Sequence, residues 1–291
     1  MSSNINAGWA DPSVAQMYAL GEAASGPFAR SALEQSGIQN HTSSPLAVFD
    51  LACGTGVVAA QLYDLLRDQD EAKKTMKVTC GDTSEGMISY LQNRVKEQGW
   101  TGTEAKIMDG MDTKLPSGTY THAFSTFGIG HMPDPLVALS ELHRVLVPGG
   151  TIGLAFWHTI DWYREFVRDA LETLPGPPRN PTEAEFMATI MKGSWWKPQW
   201  TKETLVTAGF EDVESVIEKR TFKCGTPAVF AGKVLHMPLT VVQNVFWSEE
   251  DRERCKPLMT GVIEKRLTEI FGAEGEVECH GEAVIATGRK K

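Results

Sequence analysis

The chain has 291 residues, 42% hydrophobic and 22% charged, a balance suited to one large α/β unit, alone or with an appended cap. Its formal charge of −9, with only short basic clusters at Lys73–Lys74 and Arg289–Lys291, excludes a polyanionic nucleic acid as the expected partner. Five scattered cysteines without a C-x-x-C pair argue against a disulfide framework or a zinc site, so no metal is expected. The polar first ten residues lack the order of a signal peptide, and no apolar run approaches the roughly 20 residues that span a bilayer. A cytoplasmic protein without membrane contact is expected.

Two helix-like pieces open the chain, at 14–21 and 27–37, with Pro27 suited to a first turn and Gly37 to a C-terminal stop. Residues 46–49 read as a buried strand, and 57–67 as a helix from apolar residues at Val57, Val58, Leu62, Leu65 and Leu66. A polar connection over 67–77 follows, then strand 77–80, helix 87–98 and strand 105–108. Strand 120–126 precedes a helix over 134–147, which Asp134 caps, Pro135 opens and Gly149-Gly150 ends. Residues 151–157 form the next strand. This alternation predicts a parallel sheet with helices on both faces. From 158 to 198 it stops, and crowded prolines and tryptophans predict an inserted cap. Beyond lie helix 201–208, strand 213–217, an irregular stretch over 222–257, helix 258–271 and a last strand, 283–287. The expected organisation is an N-terminal helical lid (1–45), a Rossmann-like core (46–157), a cap insertion (158–200) and a C-terminal part with further cap helices (201–291).

Three strand-end features fit one ligand. Asp50-Leu51-Ala52-Cys53-Gly54-Thr55-Gly56 joins a strand to a helix, where glycines admit close backbone approach and the helix start offers N–H groups. Such a turn alone is often only a tight turn, and Ala59 replaces the third glycine of a pyrophosphate fingerprint, which disfavours an NAD-dependent dehydrogenase. Asp82, closing the next strand before Thr83 and Ser84, can accept both hydroxyls of a ribose; helix capping is its plain alternative. Asp109-Gly110-Met111 can read a ring edge, or simply turn the chain.

The order VFDLACGTG, TCGDTSEGM, KIMDGMDTKLPSG and ELHRVLVPGGTIGLAFW resembles class I S-adenosylmethionine-dependent methyltransferases of the ubiquinone/menaquinone-biosynthesis kind. It is particularly similar to fungal natural-product members. The similarity covers 27–157 and resumes at 200–213 and in the last strand. It implies a seven-stranded, mostly parallel sheet with its last strand antiparallel. S-adenosylmethionine would be the cofactor, with Asp50, Ala52, Cys53, Gly54 and Gly56 at its methionine part. Asp82 and Thr83 would take the ribose, Met87, Asp109, Gly110 and Met111 the adenine, and Thr126 the neighbourhood of the sulfonium. The chain departs from the family at Tyr120-Thr121, where Phe-Asp is usual, and in the glycine-rich run Gly128-Ile129-Gly130-His131.

Methyl transfer from a sulfonium needs alignment and dehydration, and a base only where the nucleophile arrives protonated. His131 is the candidate general base, with capping of the turn after it as the alternative, and His158 is second. His122 and His143 read as packing or surface positions. Phe127, Trp157 and Trp162 are candidates for the acceptor wall, Trp195 and Trp196 less so. Tyr18 and Phe28 are candidates to close over the cofactor, and Arg30 to meet its carboxylate. The expected activity is methylation of a small-molecule O, N or S nucleophile in secondary metabolism, by a monomer or homodimer. The alternatives are a non-methylating enzyme that holds the same cofactor during dehydration or cyclisation, and a regulatory cofactor-binding protein.

Overall fold

The computed structural model describes residues 12–41 and 45–291. The expectations for the first ten residues, and for part of the loop before the first strand, lie outside these.

Helix α1 (Pro12–Leu20) leads through Gly21 into α2 (Glu22–Gln35). Pro27 sits inside α2 rather than at a first turn, because its neighbours Ser25, Gly26, Phe28 and Ala29 are all buried; packing overrides the local proline penalty. Strand β1 (Ala47–Leu51) feeds the glycine turn and α3 (Val57–Leu65). The connection expected to be plain surface contains a short helix, α4 (Asp70–Thr75), with acids in its first turn and lysines in its last. Then come β2 (Lys77–Asp82), α5 (Glu85–Gln98), β3 (Thr103–Ile107) and β4 (Tyr120–Thr126). The Asp134 carboxylate accepts from the N–H groups of Leu136 and Val137 and starts α6 (Pro135–Val145). That helix ends before Gly149-Gly150, since β5 (Leu146–Thr159) already begins at Leu146.

The cap holds a turn of π-helix over Tyr163–Arg168 and α7 (Glu183–Ile190), which Thr182 and Glu185 start with a reciprocal capping box. After α8 (Pro198–Thr207), β6 (Phe210–Lys223) runs far longer than its apolar core predicts. The stretch expected to be irregular contains a second π turn, Phe230–Val234, and α9 (His236–Phe246). Helix α10 (Glu249–Phe271) passes through Pro257, and β7 (Glu278–Lys290) completes the sheet.

The sheet has seven strands in the order β3-β2-β1-β4-β5-β7-β6. The first five are mutually parallel; β7 runs antiparallel between β5 and β6. The order reverses at β1/β4, so the crevice beyond the carboxyl ends of these strands is where such a sheet binds its ligand. One apolar core, including Phe49, Phe156 and Trp195, joins the sheet to the cap; a second, around Leu62 and Leu91, lies beneath α3 and α5.

Candidate functional site

At the switch point lies a cavity of about 460 Å³ lined by the ends of β1, β2 and β4. Backbone strain marks its floor. Ala52 and Phe127, at the ends of neighbouring strands, both have a φ of 56°, a conformation an aromatic residue adopts only when its surroundings impose it. Gly128 follows. A methyl group there would sit 2.6 Å from both the Ala52 Cβ and the Ser125 Oγ, so only glycine lets the two strand ends approach this closely.

Asp82 is the organiser of this wall. One of its oxygens accepts from the Gly54 N–H at 3.0 Å and the other from the Ser84 N–H at 2.9 Å, which ties the end of β2 to the glycine turn. Burial still raises its carboxyl above the usual range, against these N–H groups. Each oxygen keeps a lone pair for a hydroxyl. Asp109 accepts from the Met111 N–H at 2.9 Å, the turn that presents Gly110 and Met111 to the cavity.

Asp50 lies behind this wall rather than on it. It is 1% exposed, its Oδ2 has no hydrogen-bond partner among the described residues, and burial pushes its carboxyl well up, with Asp82 adding to this. A buried, unpartnered acid oxygen beside a second carboxylate suits a cationic ligand group, such as an α-ammonium or a sulfonium. The donor set therefore fits S-adenosylmethionine: acid beneath the floor for the cationic end, Asp82 for the ribose, and Asp109 with Gly110 for the adenine edge.

Most of the residues expected at the cofactor line this cavity: Tyr18, Ala52, Gly54, Asp82, Thr83, Met87, Asp109, Gly110, Met111 and Thr126. Cys53 and Gly56 do not. Cys53 is buried, its N–H donating to the Gly81 carbonyl and its thiol set against Cys80. Gly56 takes a φ of 89° at the start of α3 and faces Leu91, 2.3 Å from where its Cβ would stand, so both the turn and the helix packing require glycine. Arg30 pairs with Glu34 at 2.6 Å and Asp64 at 2.7 Å and does not line the cavity. Phe28 is fully buried core, whereas Tyr18 covers the turn, 3.5 Å from a Cβ built on Gly54. Burial, with Glu22, Asp82 and Asp50 nearby, raises the Tyr18 phenol to about 12.

A second cavity, about 210 Å³, adjoins the first and shares Tyr18, Phe127 and His131 with it. Trp157 and Trp162 line it, and Trp157 stacks on Phe127 at 4.4 Å. Trp195 and Trp196 do not. Trp195 is wholly buried against Phe156, and Trp196 turns away beside Lys197. His158 is also absent from the cavity; its Nδ1 donates to the Trp196 carbonyl at 2.6 Å and anchors the cap.

His131 stands where the cavities meet. Its Nδ1 lies 2.5 Å from the Ile190 carbonyl oxygen. A carbonyl only accepts, so this nitrogen carries the proton and Nε2 of the neutral ring keeps its lone pair. Burial lowers the imidazole below the ordinary histidine value, with the Ile190 hydrogen bond acting in the opposite sense, so the neutral ring prevails at pH 7. Sequence patterns missed Ser25, Lys233 and His236 on the second cavity, because these residues sit in segments without a motif. A further contact holds the turn: Glu22 accepts from the Thr55 hydroxyl and from Arg94, at 2.5 and 2.6 Å, joining α2 to α5 beneath the glycines.

Comparison with known proteins now bears on the site. A methyltransferase domain family matches residues 48–150. Methyltransferase tpcH of Aspergillus fumigatus is 33% identical over 96% of this chain and 97% of its own. The acetylaranotin bis-thiomethyltransferase of Aspergillus terreus is 31% identical over 94% and 93%. The phosphoethanolamine N-methyltransferase 2 of Haemonchus contortus, solved with S-adenosyl-L-methionine, shares the fold: its TM-score is 0.51 at 15% identity, covering 90% of this chain and 52% of that one. The chain thus belongs to the methyltransferases, in the class I, fungal natural-product type, with S-adenosylmethionine as its cofactor.

Proposed function

We propose that this enzyme methylates an oxygen or sulfur nucleophile on an apolar, ring-containing small molecule of secondary metabolism. One observation carries the reading: a strand-end cavity bearing carboxylates opens onto an apolar one across a shared wall of Tyr18, Phe127 and His131. A relative named for bis-thiomethylation supports a thiol as one acceptor.

S-adenosylmethionine supplies an electrophilic methyl group on a sulfonium. The chain's own residues position and dry the reaction. Asp82 accepts the ribose hydroxyls while its bonds to Gly54 and Ser84 fix the floor. Asp50, which burial favours as the neutral acid in the free enzyme, would ionise more readily once a cationic ligand group lies near it. Phe127, braced by Trp157, stands on both cavities and would orient the acceptor toward the methyl group. His131 Nε2 takes the proton of an incoming hydroxyl or thiol, and the Ile190 carbonyl stabilises the imidazolium through Nδ1. The lid (1–45) and cap (158–200) serve the acceptor. The same reading takes the protein to be cytoplasmic, a monomer or homodimer, with no nucleic-acid partner. Among the described residues no helix is long and apolar enough to cross a membrane.

The test is incubation of the purified enzyme with S-adenosylmethionine and a panel of apolar phenols and thiols, quantifying S-adenosylhomocysteine and methylated product. Equal amounts of both are expected. Acceptor turnover without S-adenosylhomocysteine would overturn methylation in favour of cofactor-held cyclisation or dehydration.

A further inference from the structure

The second cavity has an unusual polar inventory for this chain. The protein carries a net charge of −9, yet among the described residues no aspartate or glutamate lines the cavity. Its walls are apolar, from Phe127, Trp157 and Trp162 to Phe222 and Phe230. Among the described residues the one permanent charge on it is Lys233, in the π turn that packs against α1, with His236 one helical turn further on. Lys233 is exposed and forms no ion pair with a described residue.

Ser25 supplies a second, independent sign of a ligand. It lines the cavity from α2, is 5% exposed, and its Oγ has no hydrogen-bond partner among the described residues. A helical serine ordinarily returns its hydroxyl to the carbonyl four residues back, as Ser31 does to Pro27 in the same helix. A buried hydroxyl without a partner is costly unless something else satisfies it.

We infer that Ser25 and Lys233 are the specificity residues of the acceptor site, and that they select an apolar ring compound carrying a carboxylate remote from the methylated atom. In this arrangement Lys233 pairs with the carboxylate at the mouth, and Ser25 donates to a ring oxygen midway. The reacting atom then lies at the His131 end. A carboxylate is fully ionised at pH 7, whereas a phenol is not, so the acid is the better match to a lone lysine. The assignment rests on the reading of this cavity as the acceptor site.

Calorimetry on the full-length enzyme saturated with S-adenosylhomocysteine tests it, with dibenzofuran-2-carboxylate, which carries a ring oxygen, and its methyl ester as probes. The acid is expected to bind about fivefold tighter than the ester, the size of a partly exposed charge pair. Lys233→Glu should reverse this preference, and Ser25→Ala should weaken both probes alike. Affinity for S-adenosylhomocysteine should hold in both variants, since neither residue lines the cofactor cavity. Equal binding of acid and ester, a preference that survives Lys233→Glu, or no probe binding at all would overturn the assignment while leaving the cofactor site standing. Failure of the wild-type enzyme to bind S-adenosylhomocysteine would instead overturn the underlying reading.

Discussion

The two cavities are built on different principles. The cofactor cavity draws on strand ends of one sheet, and backbone groups and short acids do its work: Gly54, Asp82, Asp109, Gly110, Gly128. The apolar cavity, proposed for the acceptor, is assembled from distant segments of the lid, the end of β4, the end of β5, the cap, the end of β6 and the helices after it. A ligand common to a whole family can be held by backbone geometry that tolerates few changes. An acceptor that varies between relatives is better met by side chains on helices that can be replaced without disturbing the sheet.

The sharpest way to break this contrast is at the residue both cavities share. His131→Gln should lower kcat about 10²–10⁴-fold for a protonated nucleophile, while the KM for S-adenosylmethionine moves much less. In the wild type the rate should be level around neutral pH. It should fall only as pH drops through the lowered imidazole value, beneath the ordinary 6.5, because protonation removes the lone pair. The variant should lose that acid limb. A retained limb, or an unchanged kcat, would leave His131 as a strut for Ile190 alone.

On the cofactor side, Asp82→Ala removes the proposed ribose acceptor together with the clamp between β2 and the glycine turn. Affinity for S-adenosylhomocysteine should fall by about 1.5–3 kcal/mol, the range for hydrogen bonds to a charged group, as measured by calorimetry. Near-wild-type affinity would refute the assignment. Gly128→Ala tests the backbone principle itself. The new methyl must displace Ala52 or Ser125 at a strained strand end, so a loss of about 1–3 kcal/mol is expected, seen as a lower Tm. If the variant melts like wild type, the close approach of β1 and β4 is not tightly constrained.

The same contrast explains what could be read in advance. The alternation of apolar runs, the Asp134-Pro135 helix start and the strand-end acids are local signals, and they pointed to the sheet and to residues such as Asp82 and Asp109 that line the strand-end cavity. The glycines were ambiguous: Gly54 lines the cavity while Gly56 packs on Leu91, a distinction made by tertiary contacts. The full length of β6 was illegible because its residues alternate between half-buried and exposed, so little apolar pattern extends beyond its centre. Trp195 and Trp196 stand next to each other, yet one is core and the other partly exposed; neither composition nor spacing distinguishes them. Ser25 and Lys233 carry no signal at all until the fold brings both to one cavity.

Ser25 also gives the smallest expected effect and the most discriminating one. Its hydroxyl is buried without a partner, so the free enzyme bears a desolvation cost of about 1–3 kcal/mol there. Ser25→Ala removes that cost and places a better helix former in α2, so the free enzyme should gain of order 1 kcal/mol, a rise of about 2–4 °C in Tm. A site selected for packing alone would already hold alanine, since nothing else in α2 uses the hydroxyl. A stabilised variant that binds its acceptor less well would show that the serine is kept for the ligand at a cost to the fold. An unchanged or lowered Tm would mean the hydroxyl is already satisfied in the free enzyme, and the side-chain account of the acceptor cavity would lose its middle contact.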